Sequence, residues 1–144
     1  MKTFSTSREM PTDPERVFAA ISSPERLARW WGPSGFTNSF GVFEFRKGGR
    51  WSLVMHGPNG AKFLNENVFS EIEPPRSVVV EHASQPRYRL EIGLAPSAKG
   101  TVVTWSQAFE DAEVAAAIEH IVAPANEQNL DRLHAEVLRG RGGG

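Results

Sequence analysis

From Phe36 to Phe109 apolar and polar residues largely alternate, broken at intervals by glycine, proline and small polar residues. Alternation with period two marks strands that have one buried face and one wetter face. The breaks divide this stretch into about Phe36–Arg46, Arg50–His56, Ala61–Ile72, Val78–His82, Arg87–Leu94 and Thr101–Phe109. They carry turn chemistry: Gly48-Gly49, Gly57-Pro58-Asn59-Gly60, Glu73-Pro74-Pro75, Ser84-Gln85-Pro86 and Pro96-Ser97-Ala98-Lys99-Gly100. Connections this short favour antiparallel neighbours. The first hairpin has the most apolar face, formed by Phe43, Phe45, Trp51, Leu53 and Met55, with Gly48-Gly49 as a tight turn. Tyr88, Leu90, Ile92 and Leu94 share a face further on, as do Val103, Trp105 and Phe109. In the third segment Phe63 and Phe69 have one parity and Leu64, Val68 and Ile72 the other, which predicts a bulge between them.

The flanks read differently. Thr3 to Met10 alternates loosely and predicts a first strand at an edge. Asp13-Pro14-Glu15-Arg16 and Ser23-Pro24-Glu25-Arg26 each set a capping side chain before a proline at the first helical position. They predict two short helices, near Pro14–Ile21 and Pro24–Trp30, the second stopped by Gly32-Pro33. After Phe109 the period becomes helical: Asp111 is a cap, and Val114, Ile118, Ile121 and Ala125 fall on one stripe. Pro124 would leave the His120 carbonyl without its partner and so predicts an end or a sharp kink. A second helical segment, Ala125–Leu138, would turn Leu130, Leu133 and Val137 inward and Asn126, Glu127, Asp131, Arg132 and Glu136 outward. The resulting class is α+β: a curved antiparallel sheet wrapped around a long C-terminal helix, with two short helices after the first strand closing one end. Residues 1–139 read as a single domain and residues 140–144 as a disordered Gly/Arg tail.

Composition narrows the function classes. At 144 residues, 40% hydrophobic and 23% charged, the chain can bury a core without staples. Sixteen basic against seventeen acidic residues give no bias toward nucleic acid or a membrane surface. The absence of cysteine removes disulfides, thiolate catalysis and cysteine-based metal sites together. No apolar run approaches membrane length and the N-terminus carries no apolar leader stretch, so a cytoplasmic protein is expected.

Three stretches in this order resemble one family: Pro24-Glu25-Arg26-Leu27-Ala28-Arg29-Trp30-Trp31-Gly32-Pro33, Arg46-Lys47-Gly48-Gly49-Arg50-Trp51, and Glu71-Ile72-Glu73-Pro74-Pro75-Arg76. Ala125-Asn126-Glu127-Gln128-Asn129-Leu130-Asp131-Arg132-Leu133 is similar to the C-terminal helix signature of the same family. That family is the heat-shock-chaperone ATPase activator-like branch of the START-like (SRPBCC) helix-grip superfamily. The resemblance implies a helix-grip fold with a cavity between sheet and C-terminal helix, often suited to an apolar small molecule. Two positions depart from the family pattern. Its turn commonly reads Asp-x-Arg-Pro-Gly-Gly, where this chain has Glu44-Phe45-Arg46-Lys47-Gly48-Gly49, and Asn67 stands where a glycine is usual.

Candidate chemistry is sparse. His56, His82, His120 and His134 show neither H-x-H nor H-x-x-x-H spacing, so no metal site and no cofactor is expected. No serine sits in a G-x-S-x-G elbow. Glu66 and His82 are the groups that acid–base work in a cavity would use. The aromatic residues point instead to a ligand pocket, because aromatic walls with a few polar groups are how such pockets are built. The candidate ligand-binding set is Trp31, Trp51, Met55, Tyr88, Leu90 and Trp105, with Ile121 and Leu130 from the helices and His82 and Gln107 as polar contacts. The expected function is binding of an apolar or aromatic small molecule. A co-chaperone-like interaction domain and a cyclase-like enzyme on a polyketide-type substrate are the alternatives. The family's chaperone activators add a further N-terminal domain, and nothing precedes Lys2 here to play that part, which favours the ligand reading.

Overall fold

The computed structural model describes residues 1–142, apart from the side chains of residues 140–142. Seven strands form one antiparallel sheet: β1 (Lys2–Met10), β2 (Thr37–Phe43), β3 (Arg50–His56), β4 (Lys62–Glu73), β5 (Ser77–His82), β6 (Tyr88–Ser97) and β7 (Gly100–Phe109). Their order is β1-β7-β6-β5-β4-β3-β2, a meander with the first strand added beside the last. The chain therefore leaves one edge of the sheet after β1 and must reach the other edge to begin β2. Helices α1 (Pro14–Ser22) and α2 (Pro24–Trp30) make that crossing.

Both short helices start as their caps dictate. Asp13 Oδ1 accepts from the Arg16 N–H at 2.8 Å and Ser23 Oγ from the Arg26 N–H at 3.4 Å. Helix α3 (Ala112–Gly142) begins on Asp111 Oδ1, which accepts from the Glu113 N–H at 2.9 Å and the Val114 N–H at 3.2 Å. It packs against β1, β7, α1 and α2, so the sheet curves around it as a helix-grip fold requires. The core between them contains Trp30, Trp31, Trp51, Phe69 and Trp105 together with Leu130, Leu133 and Val137.

The bulge in the third segment falls at Ser70, where the pairing with β5 shifts between Phe69 and Glu71. One extra residue restores a common face to Phe69 and Ile72, and both pack on the core. A second irregularity lies at Gly41, between Phe40 and Val42.

Three expectations need correction. The β2–β3 connection is a longer loop over residues 44–49, because β2 ends at Phe43 and the loop bonds to a distant strand. Gly48 N–H donates to the Phe69 carbonyl at 2.7 Å, and Phe69 N–H donates to the Gly49 carbonyl at 2.9 Å. Pro124 does not end the helix: α3 runs through it without interruption. A proline inside a helix costs one hydrogen bond and a steric clash, and buried anchors on both sides, Ala115 before it and Asn129, Leu130 and Leu133 after it, outweigh that cost. Finally, Asn126 and Glu136 face inward, at 6% and 5% exposure, while Val114 and Ile121 are exposed. Partners distant in the chain explain the inward turn: Trp105 Nε1 donates to Asn126 Oδ1 at 3.1 Å, and Arg26 and Arg29 donate to the Glu136 carboxylate at 2.9 and 3.1 Å. Of the expected tail, residues 143 and 144 lie outside the described residues, and the backbone of residues 140–142 continues α3.

Candidate functional site

The segment after α2 is bound tightly to α3. Arg132 donates to the Arg29 carbonyl in the last turn of α2 at 2.8 Å and to four carbonyls of this segment: Trp31 at 3.1 Å, Gly32 and Pro33 at 2.9 Å, and Phe36 at 3.0 Å. A helix end leaves carbonyls without partners, and a cationic fork satisfies several at once. Burial lowers the pKa of the Arg132 guanidinium from its ordinary value. One turn earlier, Asn129 Oδ1 accepts from the Gly32 N–H at 2.9 Å, and Gln128 Oε1 accepts from the Ser34 N–H at 3.0 Å. Gly32 adopts φ +96°, which residues with a side chain rarely take, so glycine lets the loop turn and settle onto β3 against the Met55 methyl.

Under this loop lies a cavity of about 150 Å³. Trp31, Gly32 and Pro33 roof it; Met55, Tyr88, Leu90, Trp105 and Gln107 wall it from the sheet; Ile121, Val122, Ala125, Asn126 and Asn129 close it from α3. The structure thus brings together seven residues singled out from the sequence: Trp31, Met55, Tyr88, Leu90, Trp105, Gln107 and Ile121.

Trp51, His82 and Leu130 stand off this wall. Trp51 lies one ring deeper, stacked parallel on Phe69 at 5.6 Å with the edge of Trp31 against it at 4.8 Å. Leu130 is fully enclosed in the core. His82 stacks behind Tyr88 at 4.5 Å. Its Nδ1 is 2.8 Å from the Pro86 carbonyl, and its Nε2 is 2.7 Å from Asn65 Oδ1 and 3.3 Å from Ser84 Oγ. Burial lowers the His82 pKa, and the hydrogen bonds to Pro86 and Ser84 offset part of that shift.

On the far side of Tyr88 a larger depression of about 490 Å³ is lined by Tyr88, His82, Val68, Ala83 and Ala108, with the exposed Glu81, Arg87, Arg89 and Glu110 around it. The smaller cavity differs in its two tryptophans, Trp31 and Trp105, and beside it lies Gln107, 8% exposed, whose Oε1 is buried without a hydrogen-bond partner. Among the described residues no group of three or more His, Asp or Glu is placed to hold a metal ion.

The residues that sequence reasoning missed are Gln128, Asn129 and Arg132, which hold the roof, and Asn126, which holds the Trp105 indole. A signal was available. Asn126, Asn129 and Glu136 recur at helical spacing on the stripe shared with Leu130, Leu133 and Val137. Polar residues on a buried stripe must find partners.

The sequence profile described as Activator of Hsp90 ATPase homolog 1-like protein matches residues 11–137. None of the curated proteins matches the chain significantly. Among solved structures, a Nitrosomonas europaea protein is similar at 21% identity and TM-score 0.88, covering 97% of this chain and 96% of its own. A Chromobacterium violaceum protein shares 25% identity at TM-score 0.82, covering 94% and 96%. An AHSA1-like protein from Aeromonas hydrophila shares 22% at TM-score 0.77, covering 96% and 94%. No helix among the described residues is long and apolar enough to cross a membrane.

Proposed function

The chain belongs to the family of Activator of Hsp90 ATPase homolog 1-like proteins, and from that premise we propose that it binds an apolar or aromatic small molecule in the cavity beneath Trp31. The observation that carries this reading is the wall itself. Trp31, Tyr88, Trp105, Met55 and Leu90 surround a space of about 150 Å³ that side chains leave unfilled. Empty apolar cavities of roughly this volume accept a single aromatic ring. A multi-ring, polyketide-type substrate is too large for the space as it stands. Acid–base catalysis has little support: His82 lies behind Tyr88, and Glu66, with parity opposite to the buried Asn67, sits on the outer face of β4. A cytoplasmic setting goes with this reading, supported by a chain without cysteine.

Tryptophans in the wall make the test direct. Toluene or phenol should quench or shift the intrinsic fluorescence saturably, and should raise the melting temperature as a native-state ligand does. Leu90→Trp should abolish both effects by filling the cavity, at a stability cost below the roughly 1–3 kcal/mol of overpacking a filled core. Severe destabilisation by Leu90→Trp, with no compound of a broad apolar library shifting the melt, would mean that these aromatics are core and nothing more.

A further inference from the structure

The acceptors around the cavity are used or occluded. Asn126 Oδ1 accepts from the Trp105 indole N–H. An indole N–H only donates, so this bond fixes the Asn126 amide and leaves Nδ2 as its free end. Asn129 Oδ1 accepts from Gly32, and its Nδ2 donates to the Ala125 carbonyl. In the roof, Arg132 holds the carbonyls of Trp31, Gly32 and Pro33. Gln107 Oε1 is occluded, so the accessible end of this amide is its NH₂.

The donors, by contrast, are free. Trp31 Nε1, Gln107 Nε2 and Asn126 Nδ2 have no partner among the described residues, although each of these residues is more than nine-tenths buried. The Tyr88 O–H has none either, and burial raises its pKa, so it keeps its proton. Gln107 and Tyr88 are diagonal neighbours on β7 and β6, since Gln107 pairs with Leu90 and Tyr88 with Phe109. Buried donors without partners cost stability, and the group that completes them has to bring an acceptor. No residue lining the cavity is charged, so a carboxylate there would lack a counter-charge. We infer that the ligand is a neutral single-ring aromatic compound bearing a hydrogen-bond acceptor, such as a carbonyl oxygen, which the Gln107 NH₂ and the Tyr88 hydroxyl bind from the sheet wall. This rests on the ligand-binding reading above and adds the chemical class.

The test titrates four small ring compounds into the full chain by calorimetry: benzaldehyde, which only accepts; toluene, which does neither; pyrrole, which only donates; and benzoate, which accepts but is charged. Each leaves water with different ease, so the informative quantity is how its dissociation constant, relative to that of toluene, changes between proteins. Gln107→Met keeps the length of the side chain and removes the donor. It should weaken benzaldehyde relative to toluene by about tenfold, the equivalent of one hydrogen bond, and leave pyrrole in step with toluene. Tyr88→Phe removes the hydroxyl and keeps the ring stacked on His82. It should weaken benzaldehyde in the same direction, and it decides the matter if Gln107→Met does not fold. Benzoate should bind the unaltered protein more weakly than benzaldehyde does.

A benzaldehyde-to-toluene ratio unchanged within about twofold overturns the inference, as happens if the donors only hold water. A relative loss confined to pyrrole overturns it too, since the amide would then present its oxygen to the cavity. Benzoate binding as tightly as benzaldehyde, or tighter, overturns the neutral class and the inference with it. In all three cases toluene binding preserves the ligand reading. If the unaltered protein binds none of the four, that reading falls and takes this inference with it.

Discussion

Arg132 Nη1 donates to the carbonyl of Trp31 at 3.1 Å, from the middle of α3 to the residue that roofs the cavity. The same guanidinium also holds the carbonyls of Arg29, Gly32, Pro33 and Phe36. Roof and helix therefore move as a unit, and the aromatic ring of Trp31 is placed by its backbone. The C-terminal signature stretch thereby gains a physical meaning, because Gln128, Asn129 and Arg132 supply the partners that the roof loop lacks.

Arg132→Lys should loosen the roof. Lysine is a point charge without the planar fork, and cannot reach all of these carbonyls together. The expected cost is about 1.5–3 kcal/mol, the range for hydrogen bonds to a charged group, measured by urea unfolding. Amide exchange at Gly32 and Ser34 should accelerate more than the global stability loss requires. Uniform acceleration across the chain would show that the clamp has no local role.

Pro124→Ala addresses the continuous helix. The substitution restores a donor for the His120 carbonyl and removes the ring clash. Because Pro124 lies in the helix interior and is exposed, the gain should approach the helix-interior value of about 3 kcal/mol. It should also slow release of a bound ligand, since Ile121 and Val122 of the preceding turn close the cavity. Neutral stability would indicate that the helix has already relaxed around the proline.

The sheet is legible in the sequence because alternation is a local signal: strand positions, the edge placement of β1 and the need for a bulge somewhere in the third segment follow from parity, while its place at Ser70 does not. Depth is not legible. Trp51 and Leu90 both point to the concave side, yet Trp51 is sealed by Trp31 and Phe69 while Leu90 reaches the cavity. Inward polar residues are hidden for a related reason. Periodicity cannot separate a polar residue on a wet face from one with a partner far away in the chain, such as Glu136 with Arg26. The 44–49 loop escapes a local reading in the same way, since its deciding partner is Phe69 on β4.

Gly48 and Gly49 should differ sharply when changed to alanine. Gly48 has φ +81° and open space around a Cβ, so only the backbone preference is lost, about 1–2 kcal/mol. A Cβ on Gly49 would overlap the Glu44 carbonyl oxygen, and carbonyls of Glu44 and Arg46 leave it no room. Gly49→Ala should cost about 3 kcal/mol or more by forcing the loop off β4, beyond the range of ordinary substitutions. Equal losses in thermal unfolding would mean that the loop can move aside freely.

His82 should give stability a pH dependence in the mildly acidic range. Its folded pKa is lowered from the ordinary 6.5 by burial, against the raising effect of the hydrogen bonds to Pro86 and Ser84. Between the two values the unfolded chain binds a proton that the folded protein excludes, so stability rises with pH there. Above 6.5 the group contributes no penalty; as pH falls below 6.5 stability is lost, until the folded pKa is passed. The slope cannot exceed about 1.4 kcal/mol per pH unit for one group. Glu136 acts in a separate window. Burial alone would raise its pKa, but the hydrogen bonds from Arg29 and Arg26 outweigh this and hold the carboxyl below its ordinary 4.5. Its stabilisation is present above 4.5 and is lost only as pH falls through the lower folded value. A stability loss that sets in as pH falls below 6.5 and disappears in His82→Gln therefore belongs to the histidine. The ring behind Tyr88 is then held neutral by the fold at about pH 7. If His82→Gln leaves the slope unchanged in urea unfolding across that window, the ring accepts its proton in the folded protein as readily as in the unfolded chain, and this assignment is wrong.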